Sequence, residues 1–162
     1  MIAQPSIEPG RAAEPVWSEP LGLWLYGNAA LLSGPLGCAP SSLGPRAPDR
    51  RLFEAIDEEA ERVVFGVGAL VCGCHNDLHR RASLVPLRWG APRVMVFSGG
   101  FRFHLGPDMD REPFALASLF RYVWDSRTDL ALSLRSPDKK PTYAAHNPTV
   151  DRLILRLVER RF

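Results

Sequence analysis

Three short segments of this chain carry the residue types that could bind an anionic ligand. Each segment follows an apolar run and precedes a polar or helical stretch. Glycines let the backbone approach a phosphate group closely, and the free N–H groups at a helix N-terminus favour negative charge. The sequence therefore predicts a binding site for a phosphate-bearing ligand, with no catalytic residue assigned. Its candidate residues are Gly37, Cys38, Ser41, Ser42, Gly73, His75, Asp77, His79, Arg80, Ser98, Gly99 and Gly100.

His79 and Arg80 each have two interpretations that the sequence leaves open. Near a helix N-terminus, both side chains could bind phosphate through charge and donor geometry. Equally, His79 could be a partly buried histidine that fixes the loop, and Arg80 a solvated surface residue. Asp77 could orient His79 or a sugar hydroxyl, although the simpler prediction makes it the N-cap of the adjoining helix.

A cluster with the spacing Cys-x-Cys-His-x-x-x-His supplies four side chains that zinc commonly binds: Cys72, Cys74, His75 and His79. Alternation along a strand would turn the Cys72 side chain away from any site that Cys74 faces. Free cysteine is also a common buried residue. The sequence therefore favours neither a metal nor any other cofactor.

Apolar runs and helical periodicities alternate along the chain, which predicts an α/β fold. We expect strands at residues 21–26, 69–72, 93–97 and 129–134, and helices at 49–65, 77–89, 113–124 and 148–158. Such alternation is typical of a Rossmann-like, three-layer domain with a mostly parallel sheet and helices on both faces. In that architecture, ligands bind beyond the carboxyl ends of the strands.

The composition of the chain places it among single-domain proteins. Its 162 residues, 46% of them hydrophobic, suit one core. Residues 1–20 are proline-rich and predict a flexible arm, which leaves 21–162 as the domain. Twenty basic and 18 acidic residues nearly cancel, so nucleic-acid contacts would have to be local. Three cysteines, with neither a signal-peptide pattern nor a spanning apolar run, predict a cytoplasmic protein without membrane contact.

The order of these motifs resembles the DprA/Smf (DNA-processing protein A) family, within the wider Lonely Guy-like superfamily. The resemblance rests on Leu25-Tyr26-Gly27-Asn28, on Gly37-Cys38-Ala39-Pro40-Ser41-Ser42, on Val71-Cys72-Gly73 followed by Asp77-Leu78-His79-Arg80, on Val94 to Gly100, and on Asp151-Arg152-Leu153-Ile154. It covers roughly residues 21–158 by motif order.

The resemblance implies a Rossmann-type core that binds single-stranded DNA or a nucleotide, with a recombinase and a second copy of the chain as partners. It adds Arg152 to the candidate ligand-binding residues. Ala39 stands where the family has a loop arginine, and residues 74–76 replace a longer second loop. The family also normally continues beyond the position of Phe162.

Two other functions are compatible with the same residues. One is a nucleotide-processing enzyme, such as a Lonely Guy-like phosphoribohydrolase, with Asp77 or Asp108 as acid or base. Ser98-Gly99-Gly100-Phe101 does not reproduce the Pro-Gly-Gly-x-Gly-Thr loop of those enzymes. The other is a non-catalytic module that has lost its ligand and dimerises through an edge strand or an apolar helix face.

Overall fold

The computed structural model describes residues 13–141 and 146–160, which form an α/β domain around one mixed sheet. The sheet has six strands in the order β1-β2-β6-β5-β4-β3. Their bounds are Val16–Ser18 (β1), Leu23–Gly27 (β2), Leu36–Gly37 (β3), Ala69–Cys72 (β4), Arg93–Phe97 (β5) and Leu130–Ser133 (β6).

Most of the sheet is parallel: β3 pairs with β4, β4 with β5, and β5 with β6 in the same direction. The remaining pairs, β1 with β2 and β2 with β6, are antiparallel. The two residues of β3 lie beside β4, and β2 lies at the far side of β6.

Four helices accompany the sheet: Arg50–Gly66 (α1), Asp77–Trp89 (α2), the single turn Phe101–His104 (α3) and Pro148–Glu159 (α4). Asp49 caps α1 as predicted, since its carboxylate accepts the N–H of Leu52 at 2.8 Å. The predicted cap of α2 is off by one residue. Asn76 accepts the N–H of His79 at 3.0 Å, which leaves Asp77 as the first residue of the helix.

The helices cover both faces of the sheet. Because the parallel strands follow one another in chain order, right-handed crossovers put α1 and α2 on the same face. There Ile56, Ala60, Leu78 and Ala82 pack with the inward side chains of the strands. On the opposite face, α4 packs Leu153, Ile154 and Leu157 against the strands. Each leucine or isoleucine side chain among these stabilises the fold by about 1.5–3 kcal/mol when it is fully buried.

The predicted helix at 113–124 does not form. Only a short 3₁₀ turn, Ala115–Leu119, is present. The N–H of Glu112 donates to the carbonyl of Tyr122 at 3.1 Å, and the N–H of Trp124 donates to Asp110 at 2.9 Å. Ten residues of α-helix would hold such groups about 15 Å apart. The segment is therefore an irregular loop closed at its base by backbone hydrogen bonds.

Part of the predicted arm at residues 1–20 belongs to the sheet. Val16–Ser18 pairs with Leu23–Leu25 as the edge strand of the sheet, so the sheet begins inside the predicted arm. Residues 1–12, on which the rest of that prediction falls, lie outside the described part of the chain. Among the described residues, no helix has both the length and the apolar character required to cross a membrane.

Candidate functional site

The three segments predicted from sequence lie side by side in the structure. Residues 37–42, 73–80 and 98–100 follow β3, β4 and β5, which are parallel neighbours. Their carboxyl ends therefore meet at one edge of the sheet, called here the carboxyl edge. The first turn of α4 reaches the same edge, because Asp151 accepts the N–H of Gly44 at 3.0 Å.

The polar groups of the first segment are committed to the protein itself. Ser41 donates its N–H and its hydroxyl to the carboxylate of Glu59, at 2.9 and 2.7 Å. The buried Ser42 hydroxyl donates to the carbonyl of Ala39 at 2.7 Å. A Cβ at Gly37 would lie 2.8 Å from Val63, so glycine is needed here for helix packing. Cys38 is half-buried, and burial raises the pKa of its thiol to about 11, with Glu59 and Glu159 adding to the effect.

In the second segment, His79 has the structural role that was one of its two interpretations. The side chain is fully buried. The N–H of Gly73 donates to its Nδ1 at 3.0 Å, so Nε2 carries the ring proton and donates it to Asp151 at 2.9 Å. One imidazole thereby ties the loop after β4 to the first turn of α4.

The third segment is covered by another part of the chain. The N–H of Gly99 donates to Nε2 of His104 at 3.1 Å, and the N–H of Gly100 donates to the carbonyl of Lys139 at 2.7 Å. A Cβ at Gly99 would lie 2.6 Å from Pro141. Residues 136–141 thus pack directly on the glycines, and Ser98 beside them is half-buried. These glycines admit the protein's own backbone in the place where the sequence suggested a phosphate.

The exposed charges at the carboxyl edge are mostly positive. Arg80 donates its Nε to the carbonyl of Cys74 at 3.0 Å, and its side chain is 44% exposed with Asp77 3.6 Å away. Arg152 is exposed in the first turn of α4. Lys139 and Lys140 are exposed on the segment that covers Gly100. The exposed polar groups of this edge are therefore charged side chains rather than glycine N–H groups.

His75 is the unsatisfied group of the site. Among the described residues, neither of its buried ring nitrogens has a hydrogen-bond partner. Its ring lies 4.3 Å from the ring of His79, centroid to centroid. Burial, and next the charge of His79, lower the pKa of His75 to about 4, so the imidazole is neutral at pH 7.

Asp151 is the acidic member of the same cluster. Burial alone would raise the pKa of its carboxyl, but the hydrogen bonds from His79 and the Gly44 N–H outweigh burial and keep the pKa below its usual range. His146 Nε2 lies 3.7 Å from the second carboxylate oxygen. The ligand atoms of His75, His79 and Asp151 all lie within 4.8 Å of one another, an arrangement that could hold a metal ion.

The two cysteines do not join this cluster. Cys72 and Cys74 are both buried, and burial raises the pKa of each thiol to about 12. Cys74 faces His104, whose Nδ1 lies 4.0 Å from its sulfur. Of the four side chains in the zinc-like sequence spacing, only the two histidines meet a carboxylate.

Several important residues were missed as site members by sequence reasoning. Asp151 stood beside a predicted ligand residue but had no local signal of its own, since its partners are 72 and 107 positions away in the chain. Glu59 likewise had no local signal, since its partner Ser41 is 18 positions away in the chain, and His146 lies 3.7 Å from Asp151. Lys139 and Lys140 are the two lysines of the chain. Their rarity was visible in the sequence, but it did not indicate where they lie in the fold.

Comparisons with known proteins identify no family for this chain. No family model matches it, and neither a curated protein nor a solved structure matches it. The function of the chain is therefore inferred from the geometry of the carboxyl edge.

The buried His104, which accepts the Gly99 N–H, is expected to make the stability of the fold sensitive to acid. Burial lowers its pKa to about 4 from an ordinary 6.5. Between these pH values the unfolded chain binds a proton that the folded chain does not, so stability is full above pH 6.5 and falls towards pH 4. We expect His104→Gln, whose amide oxygen can still accept the Gly99 N–H, to make this slope shallower by up to one proton. Urea unfolding at several pH values measures it, and an unchanged slope would exclude His104 as the titrating group.

Proposed function

We propose that this protein binds a phosphate-bearing ligand, a nucleotide or single-stranded DNA, at the carboxyl edge of its sheet. The observation that carries the proposal is the set of exposed cationic side chains that three separate segments bring to this edge: Arg80, Lys139, Lys140 and Arg152. Guanidinium and ammonium groups contact phosphates in a sequence-independent way. Three-layer sheets with ligands at this edge, the Rossmann-like arrangement, fit the same placement.

The mode of binding differs from a glycine-rich phosphate cradle. The N–H groups of Ser41, Gly73, Gly99 and Gly100 already donate to protein acceptors. A phosphate would therefore be held by Arg80 and its basic neighbours, with the N-terminus of α2 adding its partial positive charge. This mode of binding is compatible with alanine at position 39, where the DprA/Smf family has an arginine, because residues 37–42 contribute little to phosphate binding.

A DprA-like role in DNA processing, with a recombinase as partner, remains the more specific form of this proposal. The alternative of nucleotide hydrolysis has less support. Asp77 and Asp108 are both solvent-exposed, and an exposed carboxylate lacks the desolvated surroundings that usually prepare a general acid or base. Binding without covalent chemistry is the function that the carboxyl edge supports best.

Thermal unfolding with a ligand panel tests the proposal. Nucleoside mono- and triphosphates and a single-stranded oligonucleotide are added at low and high salt. A ligand at one hundred times its dissociation constant stabilises the native state by about 2.7 kcal/mol, so the Tm must rise. A salt-sensitive rise with oligonucleotide supports DNA binding, and a rise with mononucleotides alone supports a nucleotide site. If no member of the panel raises the Tm, the proposal is wrong.

Two arginines of the same helix provide a matched pair for this experiment. Arg80 lies in the first turn of α2, at the carboxyl edge, and Arg88 lies exposed in the last turn, at the opposite end. We expect Arg80→Ala to weaken oligonucleotide binding and to reduce the slope of log K against log salt by about 0.7. Arg88→Ala should behave as the wild type. Equal losses in both variants would mean that ligand binds by net charge alone.

A further inference from the structure

Three imidazoles and one carboxylate meet at the carboxyl edge, between the loop after β4 and the first turn of α4. They belong to His75, His79, His146 and Asp151, and they differ in the hydrogen bonds that they make. The His79 and Asp151 side chains are bonded to each other at 2.9 Å. His75 has no hydrogen-bond partner among the described residues, and His146 lies 3.7 Å from Asp151.

The ring of His79 is already fully used. Its Nδ1 lone pair accepts the Gly73 N–H, and its Nε2 proton points at Oδ1 of Asp151. Neither nitrogen can bind an ion without breaking one of these bonds. His79 is therefore a positioning residue that fixes the carboxylate, in the way that residues behind metal ligands commonly do.

His75 has the free lone pair that an ion requires. One of its ring nitrogens lies within 4.8 Å of the Asp151 carboxylate. A Cβ on residue 73 would lie 2.9 Å from Nδ1 of His75, so glycine at this position keeps the space beside the ring open. Two buried ring nitrogens without a hydrogen-bond partner among the described residues are costly unless a further group satisfies them.

The separation of His146 from Asp151 also suits an ion. Two ligands bound about 2.0–2.2 Å from one tetrahedral ion lie about 3.3–3.5 Å apart, and the observed distance from Nε2 to Oδ2 is 3.7 Å. The second carboxylate oxygen is held in place by the Gly44 N–H. A small inward movement of the half-exposed His146 ring brings Nε2 to that separation from Oδ2.

The charge of the cluster selects a cation. Asp151 supplies a carboxylate that is held by His79 and by the Gly44 N–H, and His75 supplies ring nitrogens that have no hydrogen-bond partner among the described residues. The Arg80 side chain donates its Nε to the Cys74 carbonyl. A phosphate at this spot would meet a buried carboxylate, whereas imidazole and carboxylate ligands together suit divalent transition metals such as Zn²⁺ and Co²⁺.

We propose that His75, His146 and Asp151 bind one divalent transition-metal ion, with His79 orienting the carboxylate. A water molecule or a ligand oxygen takes the remaining coordination position. The residues that bind the ion are different from the exposed cationic side chains Arg80, Lys139, Lys140 and Arg152. The proposal does not rest on the proposed binding of nucleotides or DNA, since the ion binds with no such ligand present.

Titration of chelator-treated protein with Co²⁺ and Zn²⁺ tests the site. We expect one ion per chain by calorimetry, and for Co²⁺ a visible absorption band without the sulfur-to-metal band of thiolate ligands. His75→Ala should abolish binding, and because the His75 ring makes no hydrogen bond with the described residues, this variant should fold normally. His146→Ala should weaken binding strongly.

Two further variants distinguish residues that act on the metal site from histidines outside it. His79→Gln should weaken binding by about 10–100-fold, as expected for a residue behind a ligand. His104→Gln changes another buried histidine outside the cluster and should leave binding unchanged. The proposal is overturned if the wild type binds no ion, or if His75→Ala binds Co²⁺ as tightly as the wild type. Nucleotides and DNA are omitted throughout, so a failure here leaves the proposed function untouched.

Discussion

Asp129→Asn is expected to destabilise the fold by about 3–5 kcal/mol, because it leaves buried arginine charge without its partner. Arg93 and Asp129 are fully buried, and Glu112 is 2% exposed. The Asp129 carboxylate accepts Nε of Arg93 at 3.0 Å and also contacts Arg121, and Arg93 donates to Glu112 at 2.7 Å. In the variant, the buried Arg93 and the partly exposed Arg121 share the single carboxylate of Glu112.

An exposed pair provides the control for this prediction. Asp138 accepts Nη1 of Arg102 at 3.1 Å, but its side chain is 79% exposed. Asp138→Asn should change stability by no more than about 0.5 kcal/mol. Urea unfolding monitored by circular dichroism measures both variants, with the midpoint and the m-value compared. If both variants were as stable as the wild type, the buried network would not be holding the loop at 110–125 against the sheet.

Gly100→Ala is expected to cost about 1–3 kcal/mol or more, the range for overpacking a filled site. A Cβ at this position would overlap the carbonyl oxygens of Ser136 and Pro137. Both are backbone atoms of the segment that covers the third loop, so no side-chain rotation relieves the clash. The N–H of Gly100 would also lose its bond to Lys139 as the segment moves away.

Gly66 is the matched control for this glycine. It lies at the end of α1, and a Cβ there meets no atom within 4 Å. Gly66→Ala should be neutral or stabilising by up to about 1 kcal/mol, because alanine loses less backbone entropy in a helix. Thermal unfolding compares the two variants. If Gly100→Ala left the stability unchanged, residues 136–141 would not pack on the loop in solution. The N–H groups of Gly99 and Gly100 would then be accessible to a ligand.

Sequence reasoning predicted the elements that depend on local periodicity. The helix at 49–65 with its Asp49 cap, the strand at 93–97 and the final helix are confirmed within a few residues. It also placed the three candidate loops beyond the carboxyl ends of strands, because alternating strands and helices leave few topologies. The predicted helix at 113–124 is wrong. Its apolar residues have helical spacing, but the ion pairs that Glu112 makes with Arg93 and Arg121 bring the two ends of the segment together.

The sequence by itself determined an α/β domain and the edge at which its polar loops gather. Only the tertiary structure decided what those loops do with their hydrogen bonds. It assigned the glycine N–H groups to protein acceptors, buried Arg93 at the start of an apolar strand, and brought Asp151 to His79 across 72 residues. Periodicity records which face of an element is buried, but it holds no information about which distant donor meets which acceptor, because those pairs form only when the layers pack.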